Sequence, residues 1–292
     1  MKTLLNITNL QSDDLINILN YAQELNSNFD SCLHGKNIGL IFEKNSTRTR
    51  LSFKVGINQL DGKYIDIRLE ELNLQRIESY EDTFEIMSCY LDCLIFRTTD
   101  HNRLELASKY FKKPIINALS DLSHPCQAIS DIYTLNEHFG SLNGINIVWM
   151  GDINNVLVSL IDASILIGNI NIDIFTDVNI YNKLKNTLPH SSSINFHFEV
   201  DNTILKSSHC IMTDVFNSMN DLDDKELILN KFQVNKEIMS MTNSETIFMH
   251  CLPAKIGSEV TEDVIRGNKS IVIKQAKNRM VSQRGILKWL DI

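Results

Sequence analysis

Short apolar runs alternate with longer amphipathic stretches along nearly the whole chain. The amphipathic stretches place apolar residues three and four positions apart, as in Val156, Leu160, Ala163 and Ile167, which is typical of helices. The short apolar runs have the length of buried strands. Strands are predicted at Asn37–Phe42, Lys63–Ile67, Asp92–Arg97, Pro114–Ala118, Ile145–Met150, Ile170–Phe175, Ile194–Glu199, Cys210–Asp214, Thr246–His250 and Ser270–Ile273.

This alternation of strands and helices indicates parallel sheets with helices on both faces. A chain of 292 residues is long enough for about two domains of ordinary size. Pro125 suits the first position of a helix, and a helix is predicted from there to Phe139 as a connector between domains. The expected fold is therefore α/β, with two doubly wound domains. Ligands of such folds bind at the carboxyl ends of the strands.

Composition and charge exclude several classes of protein. The net charge of -8 argues against a general affinity for nucleic acid, which requires a basic surface. No long apolar segment is present, so neither a signal peptide nor a membrane span is expected, and a cytoplasmic location is predicted. The spacing of the 6 cysteines matches neither a disulfide scaffold nor a paired zinc motif.

The first strand is followed by a turn rich in hydroxyls and arginines, which reads Ser46-Thr47-Arg48-Thr49-Arg50. A helix begins there, and its free backbone N–H groups and dipole favour an anion. An ordinary Ser/Thr N-cap with solvated arginines is the alternative. The two arginines between the hydroxyls favour a phosphate.

Polar residues also end other strands, where each alone is a weak signal. They are Arg97, His124 with Gln127, and His250 with Cys251. Since neighbours on a strand point to opposite faces, His250 and Cys251 are not expected to bind one metal unless the backbone bends. The run that begins at Gly151 lacks the further glycines of a dinucleotide site, so a Rossmann dehydrogenase is disfavoured.

Taken in order, these segments resemble the aspartate/ornithine carbamoyltransferase family. The matching segments are Ser46–Arg50, Phe96-Arg97, His124-Pro125-Cys126-Gln127, Gly151-Asp152 through Asn154-Asn155, Asp214 with Ser218-Met219, His250–Ala254, and Asn278-Arg279. They extend over nearly the whole chain in the order that the family has.

The resemblance implies a role for each matching residue. Catalysis would involve Arg97, His124 and Cys251. Carbamoyl phosphate would be bound by Ser46, Thr47, Arg48, Thr49, Asn73, Arg97, His124, Gln127, Cys251, Leu252 and Arg279. Ornithine would be bound by Asn155, Asp214, Ser218 and Met219. No metal or other cofactor is implied, and Cys251 is expected to contact substrate rather than to act as a nucleophile.

The resemblance also implies a domain arrangement and an assembly. Residues 1–133 would form a carbamoyl phosphate-binding domain, onto which a final helix of about 275–292 packs back. Residues 134–274 would form an ornithine-binding domain. The assembly would be a homotrimer with sites between subunits, with carbamoyl phosphate and L-ornithine as substrates.

Other acceptors and a silent relative remain open. Aspartate is disfavoured because Asp214 would repel its second carboxylate, whereas putrescine or an N-acylated ornithine stays possible. Asn220 follows Ser218-Met219 where the family has a glycine, and Asn73 stands where a glutamine is common. A catalytically silent protein that binds carbamoyl phosphate is the alternative from another class.

Overall fold

Two units make up the chain, and each contains a parallel sheet. The computed structural model describes residues 1–28, 30–69, 72, 78–217 and 225–292. Unit 1 comprises Met1–Tyr133 and Lys277–Ile292, and unit 2 comprises Thr134–Ala276. Both crossings from one unit to the other fall inside a helix, namely α5 (Pro125–Phe139) and α12 (Val272–Leu290).

Unit 1 contains a four-stranded parallel sheet. Its elements are α1 (Ser12–Ser27), β1 (Asn37–Phe42), α2 (Thr47–Gln59), β2 (Lys63–Ile67), α3 (Tyr80–Tyr90), β3 (Cys93–Arg97), α4 (His101–Tyr110) and β4 (Ile115–Leu119). The strand order is β2-β1-β3-β4, and every neighbouring pair is parallel. The chain winds from β1 to one side and from β3 to the other, so the switch point where ligands bind lies between β1 and β3.

One buried hydrophobic cluster of unit 1 lies where α3 and α4 cover the sheet. Phe84 of α3, Leu104 of α4 and Phe96 of β3 are buried in one cluster. The strands β1, β3 and β4 are largely buried, whereas β2 lies at the edge and exposes most of its side chains. Burial on both faces explains why the central strands are continuous apolar runs.

Unit 2 contains a five-stranded parallel sheet. Its elements are β5 (Ile145–Met150), α6 (Asn155–Ile167), β6 (Ile170–Phe175), α7 (Val178–Leu184), β7 (Ile194–His197), α8 (Asn202–Ser207), β8 (Cys210–Thr213), α9 (Glu226–Leu229), α10 (Lys236–Ser240), β9 (Ile247–His250) and α11 (Glu262–Ile265). The order β7-β6-β5-β8-β9 places the switch point between β5 and β8.

The predicted fold class is confirmed, and one predicted strand is wrong. Four strands (β1, β2, β5 and β6) and helix α5 have the predicted bounds. The predicted strand Ser270–Ile273 is instead a single bridge between Ser270 and Phe248, after which α12 begins at Val272. Val272 is buried while Ile273 is exposed, so these two β-branched residues lie on different faces of the helix. No helix in the described ranges has the length and apolar character needed to cross a bilayer.

Candidate active site

Three neighbouring strands of unit 1 end in polar residues that the sequence singles out. The turn from Ser46 to Thr49 follows β1, Arg97 is the last residue of β3, and His124 lies between β4 and α5. Since β1, β3 and β4 are adjacent and parallel, their carboxyl ends lie side by side. The switch point of the sheet falls within this group.

Helix α2 begins in the way that an anion site requires. The Ser46 side chain is the N-cap, and its oxygen accepts the backbone N–H of Thr49 at 3.3 Å. The other N–H groups of the first turn and the helix dipole favour a negative charge there. Arg48 is half-buried in this turn, whereas Arg50 lies over the ring of Phe42, 4.9 Å from its centre. The two arginines of the motif therefore have different surroundings.

Buried hydrogen bonds connect α2 with α5 and α12 in unit 1. Arg279 donates from Nη2 to Thr49 Oγ1 at 2.7 Å and from Nη1 to Gln127 Oε1. Gln127 Nε2 donates to Asp131 Oδ1 at 2.7 Å. All four residues are buried, so these bonds fix the guanidinium of Arg279 at the start of α2. Asp131 supports this arrangement although no sequence motif pointed to it.

Three arginines form a cationic cluster at these strand ends. Burial, followed by the charges of Arg279 and Arg48, lowers the pKa of Arg97 to about 10. Arg97 therefore stays charged at neutral pH, and its neighbours repel it. Its Nε atom is buried and has no hydrogen-bond partner among the described residues. A bound anion would relieve the repulsion between the three guanidinium groups and accept a hydrogen bond from Nε of Arg97.

His124 is neutral at physiological pH. Burial, with the nearby charges of Arg279 and Arg97, lowers the pKa of His124 well below its ordinary value of 6.5. In the unfolded chain the imidazole takes up a proton near pH 6.5, whereas in the folded chain it does so only at a much lower pH. Below pH 6.5 the unfolded state therefore binds more protons than the folded state. The free energy of unfolding falls as the pH drops.

We expect the free energy of unfolding to decrease by up to about 1.4 kcal/mol for each pH unit below 6.5 on account of His124. Urea unfolding at pH 7.0, 6.0 and 5.0 measures it. In the variant His124→Asn, the part of the pH dependence of the free energy of unfolding that His124 causes should disappear. His190→Asn, at an exposed histidine of unit 2, is the control. An equal acid sensitivity in His124→Asn and the parent would contradict the expectation.

Glu43 connects the ends of β1 and β3 and was not singled out from the sequence. Its Oε2 accepts bonds from Thr98 Oγ1 at 2.8 Å and Thr99 N at 3.0 Å. Its Oε1 accepts a bond from Arg103 Nη1 at 3.0 Å. Its backbone N–H donates to the carbonyl oxygen of Arg97 at 3.0 Å. Glu43 thereby fixes the backbone that carries Arg97.

The turn after β5 in unit 2 depends on a glycine. Gly151 has a φ of 125°, a backbone conformation that residues with a Cβ atom rarely adopt. A Cβ atom at this position would also lie 2.8 Å from Cε1 of Phe216. Glycine thus lets the chain turn directly from β5 into α6.

Neighbouring strands of unit 2 bring an amide, a carboxylate and a thiol together. Asn154 caps α6, and its Oδ1 accepts the N–H groups of Val156 and Leu157 at 3.0 and 3.1 Å. Its Nδ2 donates to Asp214 Oδ2 at 2.8 Å, and Cys251 Sγ donates to Asp214 Oδ1 at 2.8 Å. These residues follow β5, β8 and β9, which are adjacent. Asp214 is buried, so this network fixes its carboxylate.

A buried histidine–glutamate pair supports the segment that carries Cys251. His250 Nε2 lies 3.1 Å from Glu259 Oε1, and the same oxygen accepts the N–H of Lys255 at 2.6 Å. His250 Nδ1 accepts the N–H of Leu252 at 2.9 Å. Leu252 has a φ of 56°, which is unusual for leucine. The pair therefore holds a left-handed turn directly after Cys251.

The bend after β9 changes the expectation for His250 and Cys251. Candidate ligand atoms of Asp214, His250 and Cys251 lie within 4.8 Å of one another, so the two neighbours do converge. Both ring nitrogens of His250, however, already take part in hydrogen bonds to Leu252 and Glu259. The geometry therefore fits a hydrogen-bonded network better than a metal centre.

The predicted site residues fall into two groups, one in each unit. Unit 1 contains Ser46, Thr47, Arg48, Thr49, Arg97, His124, Gln127 and Arg279, and unit 2 contains Asn155, Asp214, Cys251 and Leu252. Asn155 is the first residue of α6, whereas its neighbour Asn154 contacts Asp214. Asn73, Ser218 and Met219, and Asn220 beside them, lie outside the described residues.

Each group suits a different ligand. The cluster in unit 1 offers guanidinium groups, a helix N-terminus and a neutral imidazole, which together suit a phosphoryl group beside a polar carbonyl. The group in unit 2 offers a buried carboxylate, which suits an ammonium group.

Family models match both halves of the chain. The carbamoyl-P binding domain of the aspartate/ornithine carbamoyltransferases matches residues 2–137, and the Asp/Orn binding domain of the same family matches residues 143–290. The ornithine carbamoyltransferase of Methanocaldococcus jannaschii is 36% identical over 300 residues, which cover 98% of this chain and 98% of that protein. That of Rhizobium johnstonii is 37% identical over 300 residues, which cover 99% and 97%.

Solved structures are similar over the same length. The ornithine carbamoyltransferase from Pyrococcus furiosus superimposes with a TM-score of 0.88 at 33% identity, covering 98% of this chain and 96% of that one. The anabolic enzyme of that name from Campylobacter jejuni gives a TM-score of 0.89 at 31% identity, covering 100% and 99%.

Proposed function

The chain belongs to the aspartate/ornithine carbamoyltransferase family, and we propose that it transfers the carbamoyl group of carbamoyl phosphate to the side-chain amine of L-ornithine. The products are L-citrulline and phosphate. The observation that carries this proposal is the cluster of Arg48, Arg97 and Arg279 around the start of α2. It matches a dianionic phosphoryl group joined to a carbonyl.

The phosphate of carbamoyl phosphate binds the Ser46–Thr49 turn and Arg48 in this proposal. The carbonyl oxygen gains negative charge as the amine attacks its carbon. Arg97, neutral His124 and the hydroxyl of Thr49 donate to that oxygen, and Arg279 and Gln127 complete the pocket. Donors that are fixed before the reaction stabilise such charge without reorganisation. The C–O bond to phosphate then breaks, and the attacking nitrogen gives up one proton to the departing phosphate. The helix N-terminus stabilises this anion.

The amino-acid end of ornithine binds the carboxylate network of unit 2. Asp214 accepts from the α-ammonium group, and Asn155, Ser218 and Met219 complete this subsite. Cys251 and Leu252 line the place of reaction, where the thiol contacts substrate. Support comes from the buried carboxylate of Asp214, which would repel an acceptor that is itself a dicarboxylate.

We expect product formation from carbamoyl phosphate with ornithine to exceed that with putrescine, N-acetylornithine or aspartate by at least about tenfold. A hydrogen-bonding subsite discriminates strongly against an analogue that leaves its polar groups unpaired. Initial rates of phosphate release and of ureido product at pH 8 measure this preference. Phosphate release without ureido product, or binding without either, would contradict the proposal and favour a silent relative.

Three further properties stay predictions that the sequence resemblance supports. They are a homotrimer with sites between subunits, a place in arginine metabolism and a cytoplasmic location. Direct amine attack on bound carbamoyl phosphate requires neither a metal nor an organic cofactor. The bonds that form and break are those of the two substrates alone.

A further inference from the structure

Two consecutive residues of unit 2, Lys225 and Glu226, bind the segments that follow three neighbouring strands. The backbone N–H of Lys225 donates to Asn217 Oδ1 at 2.8 Å, after β8. The ammonium group of Lys225 donates to Asp152 Oδ2 at 2.9 Å, in the turn after β5. The carboxylate of Glu226 accepts from Lys255 Nζ at 2.6 Å, after β9. Strands β5, β8 and β9 are adjacent, so these two residues connect the three strand ends that contain the proposed ornithine subsite.

Burial distinguishes the two ion pairs. The side chain of Asp152 is 1% exposed and that of Lys225 is 21% exposed, so their pair lies largely out of water. Glu226 and Lys255 are 34% and 63% exposed, and a surface pair of this kind contributes little. Removing Lys225 would leave the charge of Asp152 buried without this cation, which the protein interior disfavours. Lys225 is therefore the residue of the two whose loss would change its surroundings most.

The turn that Lys225 holds also carries the amide that binds Asp214. Asp152 and Asn154 are two positions apart in the turn between β5 and α6. Asn154 Nδ2 donates to Asp214 Oδ2 at 2.8 Å, and Asn155, the next residue, is a proposed ligand of ornithine. A displacement of the Asp152 backbone therefore displaces the amide that fixes the carboxylate of Asp214.

We propose that Lys225 is a positioning residue for the amino-acid acceptor and acts through Asp152 and the turn after β5. This inference rests on the proposed function, because it assigns a role within the ornithine subsite. Lys225 does not touch the substrate. It keeps Asn154 at Asp214, so that the carboxylate is in place before the amino-acid head group of ornithine binds. Groups that are fixed before the ligand arrives bind it at a smaller cost in free energy.

Binding of L-norvaline tests this role, because norvaline has the head group of ornithine but lacks the attacking amine. Calorimetry with saturating carbamoyl phosphate measures its dissociation constant. We expect this constant to rise about tenfold in Lys225→Met, since a small displacement of a binding group is costly. The KM for ornithine should rise by a similar factor, whereas kcat and the KM for carbamoyl phosphate should stay within about twofold of the parent.

Lys231→Met is the matched control. It removes another lysine of unit 2, whose partner Glu199 is 85% exposed. The dissociation constant of L-norvaline should stay within about twofold of the parent in this variant, because exposed ion pairs contribute little. If Lys225→Met lowered the melting temperature and left the dissociation constant unchanged, Lys225 would only stabilise the fold, and the proposal would be overturned.

A double variant keeps the test decisive if Lys225→Met does not fold. Asp152→Asn combined with Lys225→Met removes both charges, so no buried carboxylate loses its cation. Its dissociation constant for L-norvaline should also be raised, and a value equal to that of the parent would overturn the proposal. A parent that binds L-norvaline but forms no citrulline would contradict the proposed function alone, and the dissociation constants would still decide the role of Lys225. No binding of L-norvaline by the parent would overturn that role together with the subsite.

Discussion

Replacing Arg97 by methionine is expected to lower kcat for citrulline formation by about 100- to 1,000-fold, the usual loss when one donor to a developing oxyanion is removed. Arg97 is expected to provide that donor, because it ends β3 beside the start of α2 and has a buried Nε atom with no partner among the described residues. Methionine keeps much of the volume but provides no proton. Steady-state rates at saturating substrates measure the loss.

The control for Arg97→Met is Lys113→Met, which removes one positive charge from an exposed position of the same unit. It should leave kcat within about twofold of the parent, since exposed charges far from a site have small effects. If Arg97→Met raised only the KM for carbamoyl phosphate and left kcat unchanged, Arg97 would bind the ground state and transition state equally. Its role in catalysis would then be refuted.

Replacing Asp214 by asparagine is the second large effect that we expect. The kcat/KM for ornithine should fall by about 30-fold to several thousand-fold, which corresponds to the ~2–5 kcal/mol lost when a buried charged partner is removed. Asparagine also places an N–H₂ group opposite the Asn154 amide or the Cys251 thiol, where an acceptor is needed. The KM for carbamoyl phosphate should change much less.

Asp201→Asn is the matched control for Asp214→Asn. Asp201 caps α8 from an exposed position, and asparagine caps a helix equally well. Saturation curves for ornithine, measured at fixed carbamoyl phosphate, should be the same for Asp201→Asn and the parent. If Asp214→Asn altered only the melting temperature and not these curves, Asp214 would be a structural residue.

Much of the fold could be predicted because burial leaves a simple pattern. The strands β1, β5 and β6 are largely apolar runs that a polar residue or glycine follows, and their predicted bounds match the structure. The strand predicted at Ser270–Ile273 is wrong because two of its β-branched residues, Val272 and Ile273, lie in α12, where tertiary packing overrides local preference. A four-residue run cannot distinguish the start of a buried helix from a short strand.

The positions of the candidate site residues at strand ends could be predicted from the sequence, whereas the residues that support them could not. Ser46, Arg97 and His124 follow or end apolar runs, and parallel strands end at one edge of a sheet. Glu43 and Glu259 act through hydrogen bonds to side chains and backbone groups that folding brings together. No spacing in the sequence encodes such contacts. The position of Glu43 directly after β1 was the one available signal.

The bond from Arg279 to Thr49 joins residues 230 positions apart, and it has a consequence for synthesis on the ribosome. Unit 1 takes its last helical segment from Lys277–Ile292, so its early residues emerge well before their final partners. At ~5–20 residues per second, the 230 residues between Thr49 and Arg279 correspond to a delay of roughly ten to fifty seconds. During that time the turn at the start of α2 lacks Arg279, while Thr134–Ala276 is still being synthesised. A newly made chain therefore completes the proposed phosphate site only after Arg279 has been synthesised.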